Sequence, residues 1–210
     1  MLRYCKNVFD HGQVSTTDAS NLTKNIEIDD QKVKLFIWDT AGQEEYHALN
    51  SVYYRDAMAV ILVYDTTDKD SFDKVQAWVD ELNLYLPKDT PIAIAGNKED
   101  LSNRQVEIEE AEAYAASING AHFSTSAKTG KGISDIFTAV TKAVIRKHKK
   151  EAKAVEKTRK KSSKLKSNGR NIGIAGDDDD LSLGENSNRG YTGVRISSYT
   201  KEKKKSKGCC

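Results

Sequence analysis

Val33-Lys34-Leu35-Phe36-Ile37-Trp38-Asp39-Thr40-Ala41-Gly42-Gln43-Glu44 is the stretch that decides the fold. Its apolar first half, to Trp38, reads as a strand, and the polar second half starts directly at that strand's carboxyl end. In open α/β sheets this edge is where ligands bind. A carboxylate there can order waters around Mg²⁺, a glycine lets its N–H approach a terminal phosphate with no Cβ in the way, and a Gln can orient an attacking water. Asp39, Gly42 and Gln43 are the candidates for those roles. D-x-x-G alone arises often by chance, so its weight depends on the rest of the chain.

Upstream, Leu22 to Ile28 and Val33 to Trp38 flank the polar turn Asp29-Asp30-Gln31-Lys32, which predicts a hairpin. Downstream, Ala59 to Tyr64, Pro91 to Ala95 and His122 to Thr125 are short apolar runs of the kind buried on both faces. Between them Phe72, Val75, Val79 and Leu82 recur at helical spacing after Ser71, a good N-cap; Ala111, Ala115 and Ile118 mark a second helix. Ile133, Ile136, Phe137, Val140 and Val144 mark a third, which runs out of apolar residues at Lys147 to Lys150. Strands alternating with helices predict a largely parallel sheet flanked by helices, an α/β fold.

Two further motifs stand at predicted strand ends. Asn97-Lys98-Glu99-Asp100 supplies one fixed carboxylate beside a long cationic stem. Guanine offers two N–H donors on one edge, and Asp100 can accept both as charge-assisted bonds of about 1.5 to 3 kcal/mol. Adenine would set an acceptor against that carboxylate, a mismatch that polar sites reject strongly. Ser126-Ala127-Lys128 ends the last strand, where small residues let backbone N–H groups reach a base oxygen and Lys128 can flank the ring. Each motif alone fits an ordinary solvated loop; three in order, each at a strand end, do not.

The charge is divided along the chain. Residues 1–145 carry 14 Lys/Arg against 23 Asp/Glu, and residues 146–170 carry 12 against 2. An acidic body with a basic neck suits an anionic membrane surface better than nucleic acid, for which the neck also lacks interleaved aromatics. Three cysteines, two of them the terminal pair Cys209-Cys210, cannot form a bracing disulfide framework, which implies a reducing cytosolic setting. Cys5 reads as a small packed hydrophobe. No run of 18 apolar residues occurs, and the polar start is unlike a signal peptide. From Glu151 onward the composition predicts a disordered tether, giving a domain at 1–148 and a basic tail at 149–210.

Trp38 to Glu44, Tyr53-Tyr54-Arg55, Val63-Tyr64-Asp65, Asn97 to Asp100 and Ser126 to Lys128 together resemble the Rab family of small GTPases over nearly all of residues 1–145. Leu2 to Lys6 and Tyr46 to Leu49 are most similar to its endosomal branch, the Rab five and Rab twenty-one group. The resemblance implies a P-loop NTPase fold of the small-GTPase type and a GTP/GDP switch that hydrolyses GTP with Mg²⁺. Asn97, Lys98, Asp100, Ser126, Ala127 and Lys128 would hold the base, Asp39 and Gly42 the phosphate end, and Gln43 the attacking water. Thr17 matches the threonine that binds Mg²⁺ and γ-phosphate, with Thr16 as the competing assignment. Trp38 and Tyr53 match two of three aromatics read by effectors. Three departures matter: Asn21 replaces the third aromatic, Glu45 replaces an Arg, and Tyr46 replaces a Phe. The first two bear on effector and exchange-factor recognition.

Cys209-Cys210 resembles the pair on which Rab proteins carry two geranylgeranyl groups. Two chains anchor stably where one holds only marginally, and Lys201, Lys203, Lys204, Lys205 and Lys207 add attraction to anionic lipid. The implied partners are guanine nucleotide, a membrane, effectors, exchange factors, GTPase-activating proteins, and prenylation-escort and GDI proteins. The implied place is the cytoplasmic face of endosomes, with a cytosolic pool and a monomeric chain. No G-x-x-x-x-G-K-[ST] loop occurs, and Met1 falls inside the helix that should follow one. The expectation is therefore an incomplete translation, with a nucleotide-free, membrane-tethered interaction protein as the alternative.

Overall fold

The computed structural model describes residues 1–13, 20–40, 57–166 and 194–201, the backbone alone for 159–166 and 194–201. In chain order these form α1 (Leu2–Lys6), β1 (Ser20–Ile28), β2 (Gln31–Asp39), β3 (Val60–Asp65), α2 (Lys69–Tyr85), β4 (Ile92–Asn97), α3 (Ile108–Ser117), β5 (Ala121–Ser124), α4 (Ile133–Lys166) and β6 (Val194–Lys201). Every strand predicted from the sequence forms, with its ends within two residues. Two compact units result, Met1–Val144 with Arg189–Cys210, and Ile145–Asn188.

β3, β4 and β5 make a three-stranded sheet in that order, all parallel, as alternating strands and helices require. The predicted hairpin is present as antiparallel β1 and β2, in register from Ile28 opposite Gln31 to Ser20 opposite Asp39. Its turn is shorter than the four polar residues suggest: Asp29 and Asp30 alone make it, at φ 49° and 59°. Positive φ at both central positions is the turn that matches strand twist in two-residue hairpins, and Asp tolerates it. Along β2, Gln31, Val33, Leu35 and Ile37 are buried while Lys32 and Lys34 are exposed, the period of two expected of a half-buried strand. β6 pairs antiparallel with the other edge of β2, so this hairpin belongs to a separate three-stranded sheet of order β1-β2-β6.

The core of the parallel sheet is built from α2 and α3. Phe72, Val75 and Val79 of α2 pack with Tyr64, Ile94, Val106, Ala111 and Ala115, and Leu82 and Leu86 pack with Ala57 and Val60. Removing water from such side chains stabilises by about 1.5 to 3 kcal/mol each. Ser71 is not the N-cap of α2. Asp68 is, because its carboxylate reaches the N–H groups of both Asp70 and Ser71, while the Ser71 hydroxyl donates to the carbonyl of Asp68 and accepts from the N–H of Asp65. α1 is held by ring stacking of Tyr4 on Phe137 at 3.9 Å, and burial, with Cys5 adding, pushes the Tyr4 hydroxyl up to about 12. Cys5 itself is half-buried, which raises its thiol and fits the packed role given to it.

Two elements differ from the unstructured tether expected beyond Glu151. α4 continues to Lys166, and Glu151 to Thr158 are exposed along it. Lys, Ala, Glu and Arg are strong helix formers and carry a helix with no apolar face to bury. Val194–Lys201 forms β6, whose β-branched residues sit in a polar tract that hides them from a periodicity reading. Among the described residues, no helix is long and apolar enough to cross a membrane.

Gly96 of β4 shows how tightly the sheet is filled, because a Cβ there would meet Tyr64 Oη at 2.6 Å and His122 Nε2 at 3.0 Å. Those two atoms lie 3.0 Å apart as a hydrogen-bonded pair. Burial holds His122 below the ordinary imidazole range, with Arg104 acting the same way and Glu112 opposing. The fold therefore prefers the neutral ring. The stability this contributes is intact above the unfolded pKa of about 6.5 and is lost as pH falls through that value toward the folded one. Between about pH 7.5 and about pH 5.5 the protein should lose stability to urea, and His122→Gln should lose measurably less over the same range. Equal losses in the two proteins would remove His122 as a source of acid sensitivity.

Candidate nucleotide-binding site

Parallel pairing sets Asp65 level with Asn97, and Gly96 level with Ser124. Three carboxyl-end loops therefore meet at one edge. The loop after β4 turns sharply at Lys98, at φ 64°, and the loop after β5 returns to α4 through Gly130 and Gly132 at φ 90° and 69°. At Gly132 a Cβ would come within 2.3 Å of the carbonyl of Ser124, so only glycine fits.

The loops are tied side chain to backbone. Asn97 Oδ1 accepts the N–H of Ala127 at 3.0 Å, and the N–H of Thr125 donates to the carbonyl of Gly96 at 2.8 Å. In return, Glu99 donates its N–H to the carbonyl of Thr125 at 3.1 Å. The Ser126 hydroxyl donates to Asp100 Oδ1 at 2.5 Å and accepts the N–H of Thr129 at 3.1 Å. Lys128 Nζ stands 3.8 Å from the second oxygen of Asp100. The Ser126 hydrogen bond, with Lys128 and Lys98 behind it and partial burial opposing, holds the Asp100 carboxyl below the usual carboxylate range.

Lys98 is anchored rather than free-standing. Its ammonium meets Asp65 Oδ2 at 2.6 Å, and Thr67 gives Asp65 Oδ1 both its N–H and its hydroxyl. Burial would raise the Asp65 carboxyl, but the Lys98 and Thr67 hydrogen bonds outweigh it and the net shift is downward. Asp65 thus lays the Lys98 stem along the edge of the sheet.

Six of the predicted residues come together here: Asn97, Lys98, Asp100, Ser126, Ala127 and Lys128. All but Ser126 line a cavity of about 220 Å³, joined by Phe9, His11 and Leu101. That is less than the roughly 300 Å³ at which pockets for drug-sized ligands begin, and suits a ring system. One expectation is altered. Ser126 gives its N–H to the carbonyl of Lys131 and Ala127 gives its own to Asn97, so both of these amides are already engaged within the protein. Phe9 and His11 were not legible as site residues. An aromatic pair in a polar stretch just past the left-handed residue Asn7 was the available signal.

Asp39 ends β2, in the antiparallel sheet, and is not part of the cavity lining. Trp38 sits directly opposite Asn21 on one face of the hairpin, so the position where an aromatic is replaced adjoins the retained one. Thr16, Thr17, Gly42, Gln43, Glu45, Tyr46, Tyr53, Cys209 and Cys210 lie outside the described residues. Of the expected Mg²⁺ ligands only Asp39 is described, and no cluster of three or more His, Cys, Asp and Glu able to hold a metal occurs among the described residues. Such a cluster is not what Mg²⁺ beside phosphates requires, since one or two carboxylates with waters and phosphate oxygens suffice.

A carboxylate and an amide are thus fixed at the carboxyl edge of a parallel sheet, with a serine loop buttressing both, in an α/β domain. The Ras family model matches residues 1–146, and the chain belongs to that family, as a Rab GTPase of the branch that holds Rab-21 and Rab-5-like proteins. Over 146 residues it is 50% identical to Ras-related protein Rab-21 of Mus musculus, covering 69% of this chain and 66% of that one. Ras-related protein Rab-21 of Dictyostelium discoideum is 43% identical over 146 residues, 69% of each chain. The GTP-binding protein ypt5 of Schizosaccharomyces pombe is 47% identical over 145 residues, 68% of this chain and 69% of that one. The match spans just under two thirds of the length of the mouse protein.

Because the Ser126 hydroxyl is the first cause of the lowered Asp100 pKa, Ser126→Ala should raise the Asp100 carboxyl toward its ordinary value. Carboxyl-carbon NMR titration of the nucleotide-free protein reads this directly. An unmoved titration would mean that Lys128 and Lys98 hold Asp100 without the serine.

Proposed function

We propose that this protein is a GTP/GDP switch that hydrolyses GTP to GDP and phosphate and regulates vesicle traffic at endosomes. The observation that carries the reading is the Asp100 carboxylate, ionised and fixed by Ser126 and Lys128 on the wall of a base-sized cavity. A carboxylate has about four lone-pair sites, so Asp100 can keep Ser126 and still accept two N–H donors from one guanine edge. Phe9 and the Lys98 stem offer apolar surface to the ring, and Lys128 flanks it.

At the phosphate end the roles rest on family resemblance. Asp39, through water, and Thr17 would hold Mg²⁺, whose chemistry is to neutralise charge on the phosphate oxygens; Gly42 would bring its N–H to the γ-phosphate. Gln43 would orient the attacking water. Trp38 and Tyr53 would face effectors, with Asn21 and Glu45 altering which ones. Residues 1–148 would form the switch domain and residues 149–210 the tether. Cys209 and Cys210, geranylgeranylated, would hold the protein on the cytoplasmic face of endosomal membranes. GDI would maintain a cytosolic pool, and exchange factors and GTPase-activating proteins would set the nucleotide state.

Asp100→Asn should weaken guanine nucleotide binding and turn preference toward xanthine, whose ring has an acceptor where guanine has its amino group. Competition between GDP and xanthosine diphosphate for the protein with a phosphate-binding loop restored ahead of Met1 tests this, and unchanged GDP affinity would remove Asp100 from the base site. With a phosphate-binding loop restored ahead of Met1, Gln43→Leu should slow single-turnover GTP hydrolysis by roughly tenfold or more with binding nearly intact. A matching loss of GTP affinity would point instead to a structural role for that loop.

A further inference from the structure

Arg3 belongs to none of the motifs that carry the base site, yet its side chain is bound into the site's walls. It leaves α1 and crosses to the loop after β5, where Nε donates to the carbonyl of Ala127 at 2.6 Å and Nη2 donates to the carbonyl of Lys128. Nη1 turns back to Asn7, donating to its side-chain oxygen at 3.0 Å and its carbonyl at 3.3 Å. Asn7 is the left-handed residue that ends α1, and its own N–H donates to the carbonyl of Arg3 at 3.1 Å. The guanidinium carbon also lies 5.9 Å from the centre of the Phe9 ring.

These contacts carry more than a surface arginine ordinarily would. A guanidinium is a rigid planar fork, so two successive carbonyls bound to one fork have their peptide planes fixed relative to each other. Fixing the carbonyls of Ala127 and Lys128 also fixes the peptide N–H groups of that loop and the direction in which Lys128 departs toward Asp100. The other arm of the fork holds Asn7, two residues before Phe9. One side chain therefore joins the wall made by Phe9 and His11 to the wall made by Ala127 and Lys128, although Arg3 itself does not line the cavity.

We infer that Arg3 is a positioning residue for the base: it locks the Ala127-Lys128 loop to the end of α1, so that the two walls of the cavity hold one spacing. The inference rests on the guanine-nucleotide reading of the site. It acts through geometry, so it is visible in base discrimination and not only in stability. A charge at residue 3 is not enough, because Lys cannot present two N–H groups to two carbonyls in fixed directions.

The test compares dissociation of fluorescent GDP, and the ratio of GDP to IDP affinity, in the full chain with a phosphate-binding loop restored ahead of Met1 and in its variants. Hypoxanthine in IDP lacks the amino group that Asp100 would accept. Arg3→Gln should speed GDP release roughly tenfold and lower the GDP-to-IDP ratio several-fold, since it removes charge-assisted bonds that hold the loop. Arg3→Lys should behave like Arg3→Gln. In an Asp100→Asn background, Arg3→Gln should leave the ratio where it already stands. An unchanged ratio in Arg3→Gln, restoration by Arg3→Lys, or an equal further fall in the Asp100→Asn background would each overturn the inference. Should circular dichroism find Arg3→Gln unfolded, Arg3→Lys carries the same cycle. Absence of guanine nucleotide binding in the unsubstituted protein would sink the underlying reading instead.

Discussion

The hydrogen bond from the N–H of Ala127 to Asn97 Oδ1 is the tie on which the site depends. Parallel strands deliver their carboxyl ends to one edge, but they do not by themselves hold the loops that follow. Asn97 holds the second loop from the first, and Ser126 holds the first from the second by its bond to Asp100. A backbone amide and a carboxylate are thus each satisfied by a short side chain from the other loop. Both side chains are short and have few rotamers to lose, so little conformational entropy opposes holding the two loops together.

Charge is arranged in the same economical way. Lys98 sits on Asp65, Lys128 beside Asp100 and Lys131 on Glu99 at 2.6 Å, so the loops of an acidic body carry paired and not naked carboxylates. The lysines of these pairs are half or more exposed while the carboxylates are mostly covered, and pairs open to solvent on one side contribute little to stability, typically 0 to about 1 kcal/mol. Their value is directional. Each lysine is held along the edge of the sheet, and Asp100 stays an acceptor-only carboxylate to lower pH than an ordinary Asp.

How much of this was legible in the sequence follows from how local each signal is. The hairpin, the three parallel strands and the motifs at Asn97 and Ser126 are written in runs of a few residues, and each forms where its pattern stands. The cap of α2 was misread because Ser71 and Asp68 are both good cap residues; only the geometry shows that Asp68 reaches two N–H groups while Ser71 reaches back to Asp65. Phe9, His11 and Arg3 stand in no motif that points to this cavity. Arg3 meets Ala127 across 124 positions of sequence, and no local pattern encodes a partner at that distance. β6 escaped for a related reason, since a strand in a polar tract is specified by the edge that accepts it and not by its own composition.

That strand changes the mechanics of everything attached beyond it. Counted from the end of α4 at Lys166, Cys209 is more than forty residues away, a separation over which a flexible chain samples a wide volume. With Lys201 paired opposite Gln31, the chain is instead clamped at the hairpin, and residues 202–210 can extend at most about 30 Å from it. With β6 paired, nine residues of sequence follow the sheet. Pairing of Lys201 with Gln31 sets the start of that stretch beside the Asp29-Asp30 turn. A short tether raises the local concentration of whatever is joined at its two ends, with no change in the affinity of any contact.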